Sequence, residues 1–243
     1  MDFADRSGSL KRRIRSRCRL AAVKHMQGDF DSAQRLFEQA VELQQRHEPG
    51  KPVLYLDHGF LYRRFLLEHP RPEDFDKLLH EAEAALDFDR GFQPEHTWLV
   101  AIGLGLLSKS SALAKLGIHI QEKERAANRL FEETFTTLKN SGSVIYLPEF
   151  HLAKARFHLE RRQPFYGEAV LEADKALRYA EDYKIPLYRV DANLIKARAY
   201  RAMNESGKAE EYLKLAEDEM NQLGYFRRRQ EIEQLWQNRG RRV

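Results

Sequence analysis

The sequence predicts an all-α fold, a right-handed α-solenoid of about five helical hairpins followed by a C-terminal capping helix. Two observations carry this prediction. A stripe of small or aliphatic residues at positions i, i+4 and i+7 returns five times, and no proline interrupts the interior of a predicted helix. The stripes are Ala33/Phe37/Ala40, Leu78/Ala82/Ala85, Ala127/Phe131/Thr134, Ala169/Ala173/Ala176 and Ala209/Leu213/Ala216. Because each hairpin of such a repeat buries its apolar face against its neighbours, one elongated domain over residues 1–243 is expected.

The helices are predicted in pairs along the chain. The hairpins are placed at 9–47, 53–88, 95–140, 147–182 and 187–222, and the capping helix at 226–238. In the first hairpin Gly28 permits a tight reversal, and Asp29 or Asp31 can cap the second helix by accepting its free N–H groups. Trp236 is expected to be structural, on a final helix that covers the end of the stack.

The stripes carry a resemblance to a known repeat. Gly28-x-Phe30-x-x-Ala33-x-x-x-Phe37-x-x-Ala40 resembles the second half of a tetratricopeptide repeat. A nearly complete match is spread over Ala197, Tyr200, Asn204, Ala209, Leu213 and Ala216. The stripes begin 40 to 49 positions apart, whereas that repeat is about 34 residues long. Longer helices or loops must therefore absorb the difference.

Three further segments relate the chain to one particular class of proteins that carry such repeats. The segments are Pro52 to Tyr62 leading to Leu66-Leu67, Tyr146-Leu-Pro148, and Gly224 to Arg228 before Glu231-Ile232. Together they are similar to the C-terminal repeat region of bacterial signalling NTPases of the STAND class. The resemblance implies a sensor region of a signalling or defence system, with an NTPase or effector as partner. The chain has no Gly-x-x-x-x-Gly-Lys-Ser/Thr phosphate loop, so any NTPase would have to be a separate module.

The basic runs of the chain leave nucleic acid open as an alternative partner. The net charge of +4 comes largely from basic runs at 11–19 and 227–242. These runs are either the solvated flanks of end helices or a contact for nucleic acid, and Ile14 and Cys18 favour the first interpretation because they continue an apolar stripe. A homodimer formed through the first repeat is a further alternative.

Cellular location is predicted from cysteine usage and hydropathy. A single cysteine and no recognisable signal peptide predict a cytoplasmic protein. The longest uncharged apolar stretch, Trp98 to Leu107, is half the length that a membrane span needs, so a buried helix is expected and no membrane contact.

The pattern of reactive residues predicts neither an enzyme nor a bound cofactor. His151 and His158 are too far apart to share a metal along one helix, no His-Glu-x-x-His motif occurs, and no metal site is expected. His58, His96 and His119 are interpreted as interface or turn residues. Gly103 and Gly105 are interpreted as sites of close helix packing, since Ser108 replaces the third glycine of a dinucleotide motif. Cys18 lies among arginines that could lower its pKa, but no catalytic partner is evident.

Function is therefore expected at the concave surface, which the first helix of each hairpin lines in a right-handed stack. The helical register predicts that the contacting residues are Phe60, Arg63, Arg64, Lys109, Glu149, Leu152, Arg156, Asp191, Leu194, Arg198 and Arg201. Arginine is frequent in this set, and guanidinium groups bind carboxylates by paired hydrogen bonds, which suits an acidic peptide or protein loop. The alternative is that these arginines pair within the solenoid with Asp57, Glu149 and Asp191.

Overall fold

The fold is all-α throughout the part of the chain that the computed structural model describes, residues 6, 8–51, 54–69, 74–91, 96–118 and 120–237. Eleven α-helices follow one another there: α1 Leu10–Met26, α2 Phe30–His47, α3 Leu56–Glu68, α4 Asp74–Arg90, α5 His96–Gly117, α6 Gln121–Asn140, α7 Leu147–Glu160, α8 Tyr166–Asp182, α9 Leu187–Ala202, α10 Ser206–Leu223 and α11 Arg229–Gln237. Short 3-10 turns at Val144–Tyr146 and Phe226–Arg228 precede α7 and α11.

The predicted helices agree with the observed ones to within a few residues. The largest differences are at the last helix, where residues 226–228 form a 3-10 turn and α11 begins at Arg229. Asp29 is the residue that caps α2, because its side chain accepts a hydrogen bond from the Ser32 N–H at 3.2 Å. Several sequence predictions lie outside the described residues: those on Pro52, His119 and positions 238–242, together with the side chain of His96.

The five stripes form the contacts between helices. All fifteen stripe residues are buried, none more than 2% exposed, and they pack the second helix of each pair against its neighbours. Thr134, the one polar member, donates its hydroxyl to the Leu130 carbonyl at 2.6 Å within its own helix. Small side chains at these positions let the helix axes approach, and the larger ones fill the groove between them.

Helix α5 is the central core helix. Its stretch Leu99–Gly117 is long and apolar enough to cross a membrane, but 56% of that window is buried inside the structure, as in the core helix of a soluble protein. Its glycines are positions of close packing, as predicted. A Cβ on Gly103 would lie 2.6 Å from Leu138 Cδ2, and one on Gly105 would lie 3.3 Å from Leu86 Cδ1.

The first helices of the five pairs pack side by side in a row, and the segment that follows the last pair contacts the first helix again. Contacts run from α1 to α3, α5, α7 and α9 in turn, and the 3-10 turn Phe226–Arg228 then contacts α1. Met26 at the end of α1 packs against the apolar cluster of α9, α10 and α11. Gly28, in the left-handed region at φ +79°, brings its backbone so close that a Cβ would lie 3.1 Å from the Phe226 carbonyl oxygen. The segment before the last helix therefore joins the two ends of the row, a contact that the sequence did not predict.

Candidate functional site

A charged cavity lies inside this row of first helices. Its volume is about 250 Å³, and its wall is formed by α3, α5, α7, α9, Arg228 and Glu231. Five cationic side chains line it, Arg64, Lys115, Arg156, Arg198 and Arg228, together with four carboxylates, Glu68, Glu149, Glu160 and Glu231. Phe60, Leu107 and Phe157 contribute apolar surface.

Ion pairs between helices hold the cationic groups in place. Arg64 of α3 donates to Glu149 of α7 at 2.9 Å. Glu160, at the end of α7, is shared by Lys115 and Arg198, the latter at 3.5 Å. Arg198 also donates to Glu231 Oε1 at 3.1 Å. The pairing is as the alternative interpretation expected for Arg64 with Glu149 and for Arg156 with Asp191, whereas Asp57 lies near the exposed Arg15 and Arg19.

Asp191 is a buried acceptor directly behind the cavity wall. Its two oxygens accept from Arg156 at 2.9 Å, the Tyr225 hydroxyl at 2.6 Å, Arg227 at 2.7 Å and Arg228 Nε at 2.5 Å. Burial alone would raise the pKa of Asp191, but Arg227, Arg228 and Arg156 hold it well below its ordinary value. The carboxylate therefore stays ionised and ties the closing turn to α7 and α9.

Glu68 also anchors the turn Phe226–Arg228, on the side opposite to Asp191. Its Oε1 lies 3.3 Å from Arg227 Nη1 and 3.2 Å from Arg228 Nη2. Burial disfavours the charge, yet the two arginines keep the pKa of Glu68 well below its ordinary value. Arg227 and Arg228 thus bridge two anions from separate helices, which explains how a segment near the C-terminus is fixed against α3.

The predicted concave-face residues divide into three groups. Phe60, Arg64, Glu149, Arg156 and Arg198 line the cavity together. Lys109 instead pairs with Glu83 at 3.0 Å, and Arg201 donates to the Leu235 carbonyl at 2.8 Å.

The remaining four predicted residues are buried and do not line the cavity. Leu152 and Leu194 belong to apolar clusters between helices, and Asp191 is the acceptor described above. Arg63 is 2% exposed and donates to the Leu54 carbonyl at 2.9 Å, and burial lowers its pKa to about 10. The register prediction failed here because inner helices are covered on both flanks, so residues beside the stripe are enclosed as well.

Sequence reasoning missed the residues that complete the cavity. Glu68 follows Arg64 by four positions, and Glu160 follows Arg156 by four, so helical spacing from the predicted arginines could have indicated both. Arg228 and Glu231 gave no comparable signal, because they reach the cavity only through the closure of the row.

The start of the C-terminal basic run is buried, although its composition suggested a solvated flank or a contact for nucleic acid. Arg227 and Arg228, which open the C-terminal run, are among the least exposed cations of the described chain. Arg229 stacks over Phe226, with its guanidinium carbon 4.2 Å from the ring centroid. These three arginines are therefore engaged within the fold, whereas Arg15 and Arg19 of the N-terminal run are 55% and 59% exposed.

A second, larger cavity of about 670 Å³ lies between α1, α5 and the start of α3. Ile14, Tyr55, Leu104 and Tyr146 give it a mainly apolar wall. Asp57 and His58 line it, but it contains none of the residues predicted for the concave face, so the charged cavity is the better candidate for the predicted site.

Reactive groups near these cavities offer little chemistry. Cys18 is fully buried, and burial raises the pKa of its thiol to about 12, opposite to the lowering that neighbouring arginines suggested. The hydroxyl of Ser108 donates to the Leu104 carbonyl at 3.0 Å and is committed to its own helix.

Comparison with known proteins gives no relative: the chain matches no family model, no curated protein and no solved structure.

Proposed function

We propose that this chain is a non-enzymatic recognition module of the tetratricopeptide type, a right-handed solenoid that binds an acidic segment of a protein or peptide at its inner face. The observation that carries the proposal is the convergence of Phe60, Arg64, Glu149, Arg156 and Arg198, predicted from helical register, on one cavity. The resemblance to the repeat region of STAND-class NTPases supports a cytoplasmic sensor or scaffold whose partner is an NTPase or an effector.

The cavity size defines what part of a partner can enter. A volume of about 250 Å³ is below the roughly 300 Å³ at which pockets for drug-sized ligands begin. One acidic side chain or a terminal carboxylate fits such a space, whereas a folded loop does not. The rest of the partner would lie across the rim of the cavity.

The wall carries five cations and four carboxylates, and its exposed groups are of both signs, with Arg198 33% and Glu231 32% exposed. Lys115 and Arg198 are 30% and 33% exposed, whereas Glu149 is 5% exposed and is already paired with Arg64. An incoming carboxylate can therefore reach nitrogen atoms more readily than a cation can reach that buried oxygen. Guanidinium and ammonium groups bind carboxylates with charge-assisted hydrogen bonds, which are about twice as strong as neutral ones.

Arg198 is the residue best placed to exchange partners. Its bonds to Glu160 and Glu231, at 3.5 and 3.1 Å, are longer than the 2.9 Å bond of Arg64, and both glutamates contact a second cation. A ligand carboxylate that takes Arg198 leaves neither glutamate unpaired. Arg64 and Arg156 hold buried carboxylates and are expected to position the wall.

A selection from short synthetic peptides tests this proposal. One pool carries two adjacent Asp or Glu residues at varied positions, and a matched pool carries Asn or Gln at the same positions. We expect the immobilised protein to retain members of the acidic pool and to release them as salt rises, because the contact is electrostatic and partly exposed. Equal retention of both pools would contradict the proposal.

A further inference from the structure

The end of α1 and the end of α3 bring two histidines and a glutamate to one point. His25 Nε2 lies 3.1 Å from His69 Nε2 and 3.4 Å from Glu68 Oε2, and the three donor atoms all lie within 4.8 Å of one another. His25 and His69 are 44 positions apart, so no spacing along one helix could have revealed the cluster. We infer that His25, Glu68 and His69 form a zinc site with a water molecule as the fourth ligand.

The distances fit a tetrahedral zinc ion. Zinc binds histidine nitrogen and carboxylate oxygen at about 2.0 to 2.2 Å, so ligand atoms of a tetrahedral site are separated by about 3.4 Å. The two distances from His25 Nε2, 3.1 and 3.4 Å, are within about 0.3 Å of that separation. The third pair, the donor atoms of His69 and Glu68, lies within 4.8 Å, so a movement of the exposed His69 side chain would bring this separation to the tetrahedral value.

The hydrogen bonding of the cluster is incomplete without a cation. Two Nε2 atoms at 3.1 Å can share only one proton, and Glu68 Oε2 is buried without a hydrogen bond of good geometry. Buried carboxylate oxygens are normally satisfied by donors or by a metal. A zinc ion accepts electron pairs from both nitrogens and from this oxygen at once.

The surroundings of the cluster also suit a metal. The rings of Phe30 and Phe65 pack against the histidines, with the Phe30 and His69 centroids 4.2 Å apart and those of Phe65 and His25 5.2 Å apart. An apolar shell of this kind restricts solvent and strengthens metal–ligand bonds. His69 is exposed, so an ion and a water molecule can enter from its side.

Arg227 and Arg228 oppose the ion by their charge but orient one of its ligands. They lie against Oε1 of Glu68, which leaves Oε2 directed to His25. Arginines beside a ligating carboxylate act as an outer shell that fixes its orientation. We expect them to weaken zinc binding without abolishing it, because Asp191 neutralises part of their charge. Two imidazole ligands select zinc over magnesium or calcium, which prefer oxygen.

Equilibrium dialysis of the full chain against zinc, with magnesium as a separate arm, tests the site. We expect one zinc per chain and no magnesium. The His69→Asn variant is expected to bind zinc at least about 100-fold more weakly, because an exposed ligand is lost while the fold is kept. His47→Asn is the matched control, since His47 is also exposed near a helix end and lies outside the cluster.

X-ray absorption at the zinc edge provides an independent measurement on the unmodified chain. We expect two imidazole nitrogens and two oxygens at about 2.0 to 2.2 Å. Absence of stoichiometric zinc, equal binding by the His69→Asn and native chains, or a zinc shell without imidazole would each overturn the inference. None of these results depends on whether an acidic peptide binds in the charged cavity.

Discussion

Gly28 and Phe226 meet at the point where the row of first helices closes. The glycine is in the left-handed region, and a Cβ added to it would lie 3.1 Å from the Phe226 carbonyl oxygen and 3.4 Å from the Phe226 Cβ. The contact joins the turn of the first helical pair to the segment that carries Arg227 and Arg228. Since Arg228 lines the charged cavity, the closure and the candidate site depend on the same short segment.

Replacing Gly28 by alanine is expected to weaken this closure. A non-glycine residue in the left-handed region costs about 1 to 2 kcal/mol, and the new methyl group must also displace Phe226. The free energy of unfolding, measured by urea denaturation, should therefore fall by about 2 to 3 kcal/mol.

Gly142→Ala is the control for that substitution. Gly142 has a similar φ of +70°, but no atom lies within 4 Å of where its Cβ would be. This variant should lose only the backbone contribution of about 1 kcal/mol. Equal losses for both variants would mean that the Phe226 contact does not contribute to stability.

Asp191→Asn should destabilise the chain strongly. The substitution leaves Arg156, Arg227 and Arg228 without their shared anion, and breaking a buried ion pair costs about 3 to 5 kcal/mol. Asp76→Asn serves as the control, because Asp76 is 80% exposed and its ion pair with Lys123, at 3.1 Å, lies at the surface. Its loss should be no more than about 1 kcal/mol. A similar melting temperature for the two variants would contradict the role of Asp191.

Glu172 is expected to make the free energy of unfolding depend on pH in the acidic range. Although burial opposes the charge, hydrogen bonds from His151, at 2.6 Å, and from Lys175 lower the pKa of Glu172 from 4.5 to about 2. A pKa lowered by folding stabilises the protein above the unfolded value, and this contribution is lost as pH falls from about 4.5 to about 2. The loss attributable to Glu172 should be at most about 3 kcal/mol.

The Glu172→Gln variant isolates this contribution. It should be less stable than the native chain at pH 7, and the difference should shrink toward pH 2, as followed by denaturation at each pH. A constant difference between pH 7 and pH 2 would show that the ionised carboxylate is not responsible.

Gly103→Ala tests the close approach of α5 and α6. Because the added methyl group would lie 2.6 Å from Leu138 Cδ2 in a filled core, we expect a loss of about 1 to 3 kcal/mol. Gly207→Ala, in α10 with no atom within 4 Å of its Cβ position, should instead raise stability by about 0.5 to 1 kcal/mol, since alanine favours helices. Equal effects on the melting temperature would show that α5 and α6 can separate without cost.

The helices and their packing could be predicted because they depend on local order in the sequence. A stripe such as Ala169, Ala173 and Ala176 repeats with the period of a helix, and its small side chains define both the buried face and the neighbour that can approach. Proline and glycine positions then separate one helix from the next. These signals are short in range, and they agree along the described chain.

The closure of the row and most of the polar contacts could not be predicted in this way. Asp191 and Arg227 are 36 positions apart, and His25 and His69 are 44 apart, with no periodic pattern that relates them. These pairs join neighbouring segments of the stack, whereas the contact of Arg227 with Glu68 follows from the curvature of the stack, which accumulates over five helical pairs. The register did identify Arg64, Arg156 and Arg198 on the inner face, together with Glu149 and Asp191, which Arg64 and Arg156 contact. It did not identify Glu160 and Glu231, the partners of Arg198.

The most direct test of recognition at the inner face compares two arginines of one helix. Arg198 lines the charged cavity and is 33% exposed, whereas Arg189 of the same helix is 36% exposed and pairs with Glu219 away from it. Each is replaced by glutamine, and binding of an acidic peptide from the selection is measured by fluorescence anisotropy. The proposal predicts at least about tenfold weaker binding for Arg198→Gln, equivalent to about 1.4 kcal/mol, and native affinity for Arg189→Gln. Native affinity in both variants, or an equal loss in both, would contradict binding at the cavity.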